Sequence, residues 1–283
     1  MEELVSVYII TFNRLGLLKR ALDSVMKQTY SNLEIIIVDD CSTDGTDSYI
    51  KEMSMTDSRI KFTINKCNKG ACYSRNVAIN ASSGKYITGL DDDDYFLENR
   101  ISNFMANVSL LDKFAFIYSD ALLKKKIGIR KGKINVFSKD IISSNDLLYY
   151  NFAGNQVFTK SALLKDNNFD ESLLIWQDFE CWYNILSKTK NKAKRIKGES
   201  YVQDISHEGE RITSGKKDKV INSFEYFSKK HNLSRKDKIK LSTHLSSYHI
   251  RTWKFIPATA MIIMQLKFCG LLIALRGWRE LVK

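Results

Sequence analysis

An α/β fold on a mostly parallel sheet, with helices on both faces, is predicted by two observations. Short β-branched runs alternate with helix-period patterns through the first hundred residues, and each run ends in a cluster of polar residues. Such alternation implies right-handed βαβ crossovers and a sheet covered on both sides. Composition agrees: 283 residues, 44% apolar and 11% aromatic, are too apolar for a disordered chain, and a single Pro excludes proline-rich linkers.

Taken in order, Leu4–Ile10 reads as a strand, and Leu17, Leu18, Ala21, Leu22 and Val25 then share one helical face. Leu33–Val38 is a buried strand, followed by the turn-rich Cys41–Thr46 and another helix. Ile60–Ile64 is a short strand, Ala71–Ala81 a helix and Lys85–Leu90 a strand. The rhythm then changes. Ile101–Leu111 is expected to be helical, Phe114–Tyr118 a strand, and the basic Lys124–Lys133 a solvated hairpin. Leu163–Asp170 and Phe179–Leu186 read as helices and Tyr201–Ile205 as a strand, with basic helical sequence beyond Lys216.

Ligands of open α/β sheets bind beyond the carboxyl ends of the strands. The first strand ends in Thr11-Phe12-Asn13-Arg14 and the second in Asp39-Asp40. The third leads to Asn68-Lys69-Gly70 and a helix carrying Ser74-Arg75-Asn76, and the fourth ends in Asp91-Asp92-Asp93-Asp94. Every strand thus delivers polar groups to one edge. Four adjacent carboxylates repel unless a cation or hydrogen bonds compensate them. Mg²⁺ or Mn²⁺ suits such oxygen ligands, commonly with substrate phosphates completing the shell. A bare acidic turn capping the next helix is the alternative. No G-x-G-x-x-G follows the first strand and no G-x-x-x-x-G-K-[ST] occurs, so a metal must take the place of a glycine-rich phosphate cradle.

These segments, from Val7–Arg14 through Val38–Thr46 and Asn68–Asn76 to Leu90–Asp94, resemble the successive motifs of family 2 glycosyltransferases. The resemblance spans roughly residues 4–212. It implies the GT-A fold, a Rossmann-like nucleotide-binding sheet, and inverting transfer. Thr11, Asn13 and Arg14 then line the nucleotide pocket. Asp40 corresponds to the carboxylate that accepts the uracil N3–H. Asn68 and Gly70 approach the nucleotide, and Arg75 is the base- and phosphate-side arginine. Asp91 and Asp92 lie near the ribose, Asp93 binds Mn²⁺ or Mg²⁺, and Asp94 supports the metal shell. Trp176-Gln177-Asp178-Phe179-Glu180 resembles the segment that carries the general base, with Gln177 in place of the usual Glu. Asp178 is the expected base and Glu180 the second choice, against the plainer possibility that Asp178 only caps a helix. In the segment His207–Thr213, His207 is expected to complete the metal shell and Arg211 to touch the diphosphate. Asn155 and Gln156 fall where relatives contact donor sugar or acceptor.

The net charge of +12 is uneven. Residues 1–180 hold 22 Lys/Arg and 24 Asp/Glu, and residues 181–283 hold 22 and 8. Phe255–Leu275 is apolar but interrupted by Gln265 and Lys267, too broken for a span. Basic and apolar together fit an anionic membrane surface. Two domains are therefore expected: 1–215 catalytic, and 216–283 a basic helical C-terminal appendage associating with membrane. Five scattered cysteines without a C-x-x-C pair, and no charged leader, fit a cytoplasmic protein peripheral on the inner membrane's cytoplasmic face.

The resemblance extends to enteric enzymes of O-antigen or capsule assembly. It implies UDP-glucose or UDP-galactose as donor and GlcNAc on undecaprenyl diphosphate as acceptor, probed first for a β-1,3 link. Two other classes remain open: a basic nucleic-acid-binding protein without catalysis, and a nucleotidyltransferase. Against the first, the basic residues lack interleaved stacking aromatics, so no nucleic-acid partner is expected. Against the second, no glycine-rich signature opens the chain.

Overall fold

A computed structural model describes residues 2–131, 139–206, 217–246, 248 and 250. The first half follows the predicted alternation: β1 (Val5–Thr11), α1 (Leu15–Met26), β2 (Leu33–Asp39), α2 (Thr46–Thr56), β3 (Ile60–Ile64), α3 (Ala71–Ala81) and β4 (Tyr86–Asp91). β5 (Tyr95–Phe96), α4 (Arg100–Ala106), a 3₁₀ turn at Val108–Asp112, β6 (Phe116–Lys125) and β7 (Gly128–Lys131) follow. Then come β8 (Ile141–Ile142), α5 (Ser144–Leu147), β9 (Phe158–Lys160), α6 (Ser161–Lys165), α7 (Gln177–Thr189) and β10 (Ala193–Asp204). Three helices close the described chain: α8 (Lys217–Lys230), α9 (Arg235–Leu241) and α10 (Thr243–Ser246).

The main path of the sheet runs β3-β2-β1-β4-β9-β6-β10-β5. Its first four strands are parallel, with β1 between β2 and β4. "Mostly parallel" therefore holds for the nucleotide-binding half, and the rest is mixed. The short β9 lies antiparallel to both β4 and β6, so β6 and β10 point the same way as β1–β4. All six of these strands end at one edge. A three-residue strand carries too little periodicity to be read from sequence.

Two other expectations are trimmed. The helix expected over 101–111 breaks where Asn107 caps it, its side-chain amide bonding the Asn103 carbonyl at 2.9 Å. The helix expected over 163–170 stops at Lys165, because Asn167 bonds back to the Leu163 carbonyl and the Phe169 amide donates to Asn76 Oδ1 at 2.8 Å.

The sheet separates two hydrophobic clusters. Leu18, Ala21, Leu22 and Val25 of α1 pack with Val5, Val7 and Ile9 on one face. On the other, α3 and α7 pack with the C-terminal helices: Val220, Phe227, Leu241 and Leu245 sit in the same cluster as Phe179, Trp182 and Tyr183. The Phe227 and Phe179 rings stack at 4.9 Å. Polar contacts reinforce this seam. Buried Glu180 accepts from Lys230 at 2.7 Å and His231 at 2.9 Å, while Lys230 and Tyr226 both reach Asp170. The basic C-terminal helices α8–α10 are thus fastened to the helix that carries Asp178.

Truncating the buried Phe227 removes a full ring from this seam, so Phe227→Ala should lower unfolding free energy by about 3–5 kcal/mol. Urea denaturation of the full chain checks this. A loss below about 1 kcal/mol would mean that α8 contributes no core packing.

Candidate active site

The shared edge collects the residues singled out by sequence, and they fall into three groups. Around the first strand, Thr11 Oγ1 donates to Asp92 Oδ2 at 2.9 Å, and Arg14 Nη1 reaches Asp92 Oδ1 at 3.1 Å and Asp93 Oδ2 at 3.4 Å. Asn13 adopts φ +52°, a left-handed turn that Asn tolerates, and its Oδ1 accepts the Thr43 amide at 2.7 Å. The β1 and β2 loops are thereby joined. Burial pushes the Asp92 carboxyl up to about 6, with Asp93 adding to the rise and Arg14 opposing it.

The second group surrounds Asp40. Its carboxylate accepts from Asn65 Nδ2 at 2.8 Å and from the amides of Lys69 at 2.9 Å and Gly70 at 2.7 Å. Roughly one of a carboxylate's four acceptor sites is left. Asp40 thus shapes the loop that enters α3. Gly70 occupies φ +90° there, a conformation open to glycine without strain, and Asn68 is exposed on the same loop.

The third group is centred on Arg75, whose side chain is only 7% exposed. Its guanidinium donates to Gln177 Oε1 at 2.7 Å and Asp91 Oδ1 at 3.1 Å, and lies 4.0 Å from Asp178 Oδ1. Asp91 also accepts from Asn155 Nδ2 at 3.2 Å and Gln156 Nε2 at 3.1 Å, while Gln156 Oε1 accepts the Tyr8 hydroxyl at 3.0 Å. Gln177 supplies the amide oxygen that orients the arginine. At 4 Å an opposite charge is worth about 4 kcal/mol at an effective dielectric near 20, yet Asp178 Oδ1 has no hydrogen-bond partner. Burial outweighs Arg75, and with Asp91 adding repulsion the Asp178 carboxyl is pushed up to about 7. A carboxyl tuned there, with an unpartnered oxygen and 23% side-chain exposure, is equipped to take a proton near neutral pH. Capping does not account for it, since the α7 N-terminus has no side-chain cap bond.

Two expected roles change. Asp94 does not support a metal shell: it is buried, with Oδ2 accepting the Tyr201 hydroxyl at 2.6 Å and Oδ1 the Asp204 amide at 2.8 Å. It pins β10 to the aspartate turn. Glu180 is no alternative base, because two helical positions past Asp178 it faces inward onto Lys230 and His231. His244 is half-buried against Phe179, with its ring nitrogen on the Leu147 carbonyl. His207 and Arg211 lie outside the described residues, as do His249 and the apolar segment 255–275.

Sequence reasoning missed Arg20 and Asp204. Arg20 donates to the Asp93 carbonyl and to Asp204 Oδ2, both at 2.5 Å, bridging α1, the aspartate turn and the end of β10. It also missed Gly89, where a Cβ would meet Gln156 Oε1 at 2.2 Å and the Tyr8 ring at 2.3 Å.

Among the described residues no three His, Cys, Asp or Glu side chains converge as a metal cage. Asp93 still offers a hard oxygen ligand on the aspartate turn. That donor set fits a divalent cation completed by substrate phosphates rather than a closed protein site.

Four parallel strands whose carboxyl ends gather the aspartate turn, with Asp178 beside them, have the arrangement that the resemblance to GT-A sugar transferases implies. The comparisons with known proteins agree. The family model "Glycosyl transferase family 2" matches residues 6–119. A colanic acid biosynthesis glycosyl transferase by name, WcaA of Escherichia coli, is 32% identical over 269 residues, covering 93% of this chain and 94% of its own. WfaP of Escherichia coli, a UDP-Glc:α-D-GlcNAc-diphosphoundecaprenol β-1,3-glucosyltransferase, is 36% identical over 188 residues, with 66% and 71% covered. Staphylococcus aureus TarS in complex with UDP-GlcNAc superposes with a TM-score of 0.68 at 18% identity over 96% of this chain and 79% of TarS, which supports the fold. The chain belongs to glycosyltransferase family 2.

Gly89→Ala should displace Gln156 and loosen Asp91. It is expected to weaken UDP binding by at least about tenfold, measured by calorimetry, with a lowered melting temperature. Unchanged affinity would detach Gln156 from the donor side of the site.

Proposed function

We propose that this chain is a metal-assisted inverting hexosyltransferase of surface polysaccharide assembly. It moves glucose or galactose from a UDP-sugar to GlcNAc on undecaprenyl diphosphate, forming a β-1,3 link from an α-linked donor. The observation that carries this reading is Asp178, a carboxylate with one unpartnered oxygen beside Arg75 at the strand edge. The names of WfaP and of a Campylobacter jejuni β-1,3-glucosyltransferase acting on a diphospho-undecaprenol substrate support the donor and acceptor classes.

The Asp178 carboxylate takes the proton of the acceptor hydroxyl as that hydroxyl's oxygen bonds to the anomeric carbon. The bond from that carbon to the diphosphate breaks on the opposite face, and UDP leaves with the electron pair. Arg75 holds Asp91 and Asp178 side by side. Thr11 and Arg14 hold the aspartate turn in shape, and Asp40 holds the loop entering α3. Asp93 would hold Mn²⁺ or Mg²⁺, which supplies Lewis-acid neutralisation of the leaving diphosphate when bound. His207 and Arg211 are proposed to join the metal and the diphosphate from the segment after β10. Residues 1–215 form the catalytic unit in this reading. Residues 216–283 associate with the cytoplasmic face of the inner membrane, and among the described residues no helix is long and apolar enough to cross it.

Purified chain is assayed with Mn²⁺, a GlcNAc-diphospho-lipid analogue and each UDP-sugar in turn. Transfer from UDP-glucose or UDP-galactose is expected. Asp178→Asn should lower kcat by about 10²–10⁴ while UDP still binds. Asp93→Ala should remove the metal dependence of donor binding. Full wild-type turnover in EDTA contradicts the metal role, and an active Asp178→Asn enzyme contradicts the base.

A further inference from the structure

The basic hairpin seen in the sequence is not used by any step above. β6 leaves the sheet at the catalytic edge, turns at Lys126-Ile127, and returns as β7, with Lys125 opposite Gly128. Gly128 at φ +82° supplies the left-handed residue for that tight turn. Turn tips normally carry Gly, Asn, Asp or Ser. Here the tip is Ile127, 84% exposed, with Ile129 next to it at 51%. Lys124, Lys125, Lys126, Arg130 and Lys131 surround the two isoleucines, and no acidic residue occurs from Ala121 to Lys131.

The hairpin's base is fixed relative to the site. Lys124 reaches Asp204 Oδ2 at 3.1 Å, and the Asp204 amide bonds Asp94. Lys131 pairs with Glu199 of β10 at 2.9 Å. An apolar tip ringed by cations therefore projects on a rigid stem beside the aspartate turn. Resting on the proposed lipid-linked acceptor, we propose that β6–β7 inserts its isoleucine tip into an anionic lipid surface and turns the catalytic edge towards the membrane. Exposed aliphatic side chains gain by entering the headgroup boundary while neighbouring cations meet anionic headgroups. A single-stranded nucleic acid fits less well, because the tip offers no aromatic ring on which bases stack.

Amide hydrogen exchange on the full chain tests this, with phosphatidylcholine vesicles that contain or lack phosphatidylglycerol. Exchange over residues 124–131 should slow by about fivefold or more only with the anionic vesicles. Ile127→Asp with Ile129→Asp should abolish that local protection without lowering the melting temperature, since both side chains are exposed. Unchanged exchange over 124–131 overturns the proposal, whether or not the chain sediments with vesicles. Equal protection by a single-stranded oligonucleotide also overturns it. Transfer to a water-soluble GlcNAc-diphosphate acceptor, measured alongside, tests the enzymatic reading separately: its failure leaves the exchange result standing, and its success does not rescue a silent hairpin.

Discussion

One buried guanidinium organises the reaction centre. Arg75 comes from α3, Asp91 from the end of β4, and Gln177 with Asp178 from the start of α7. Two carboxylates from distant parts of the chain share this small, largely buried space, and only a cation between them makes their coexistence tolerable. Asp91 receives hydrogen bonds from three side chains. Asp178 receives the charge of Arg75 but no hydrogen bond on its inner oxygen. The two carboxylates are thus unequally satisfied: Asp91 is tied by hydrogen bonds, and Asp178 is left with an unpartnered oxygen.

The opposite end of the sheet shows the contrast. Glu34, near the start of β2, accepts from Ser6, Lys61, Ser83 and the Gly84 amide, and its carboxyl is held down at about 2. A carboxylate so fully paired is structural. At the carboxyl edge the protein leaves pairing incomplete at Asp178, a pattern suited to a reacting site.

Much of this was legible in the sequence, for identifiable reasons. The β-branched runs up to Leu90 were bounded by turn residues, so β1–β4 and α3 fall where periodicity places them. The polar strand ends named Thr11, Asp40, Arg75 and Asp91–Asp94 in advance because a parallel sheet brings all such ends together. What remained hidden depends on tertiary contact. Arg20 and Asp204 meet across most of the chain, and nothing local marks either. The inward turn of Glu180 is decided by Lys230 on α8, and Gln156 gains its place only because Gly89 has no side chain. Short β9, which makes the second half of the sheet mixed, carries no pattern of its own.

The C-terminal charge also takes on a structural meaning. Part of it, Lys230 with His231, is folded into the seam behind α7, and the sequence offered only a basic helical run there. The most direct test of the account is the pH dependence of kcat/KM for the wild-type enzyme. In the proposed role Asp178 works ionised, and its carboxyl is pushed up to about 7, so activity should rise with pH through that value. The rising limb should move upward in Arg75→Gln, which removes the cation that lowers it. A limb near 4, or one that Arg75→Gln leaves in place, would contradict the central role assigned to the Arg75–Asp178 pair.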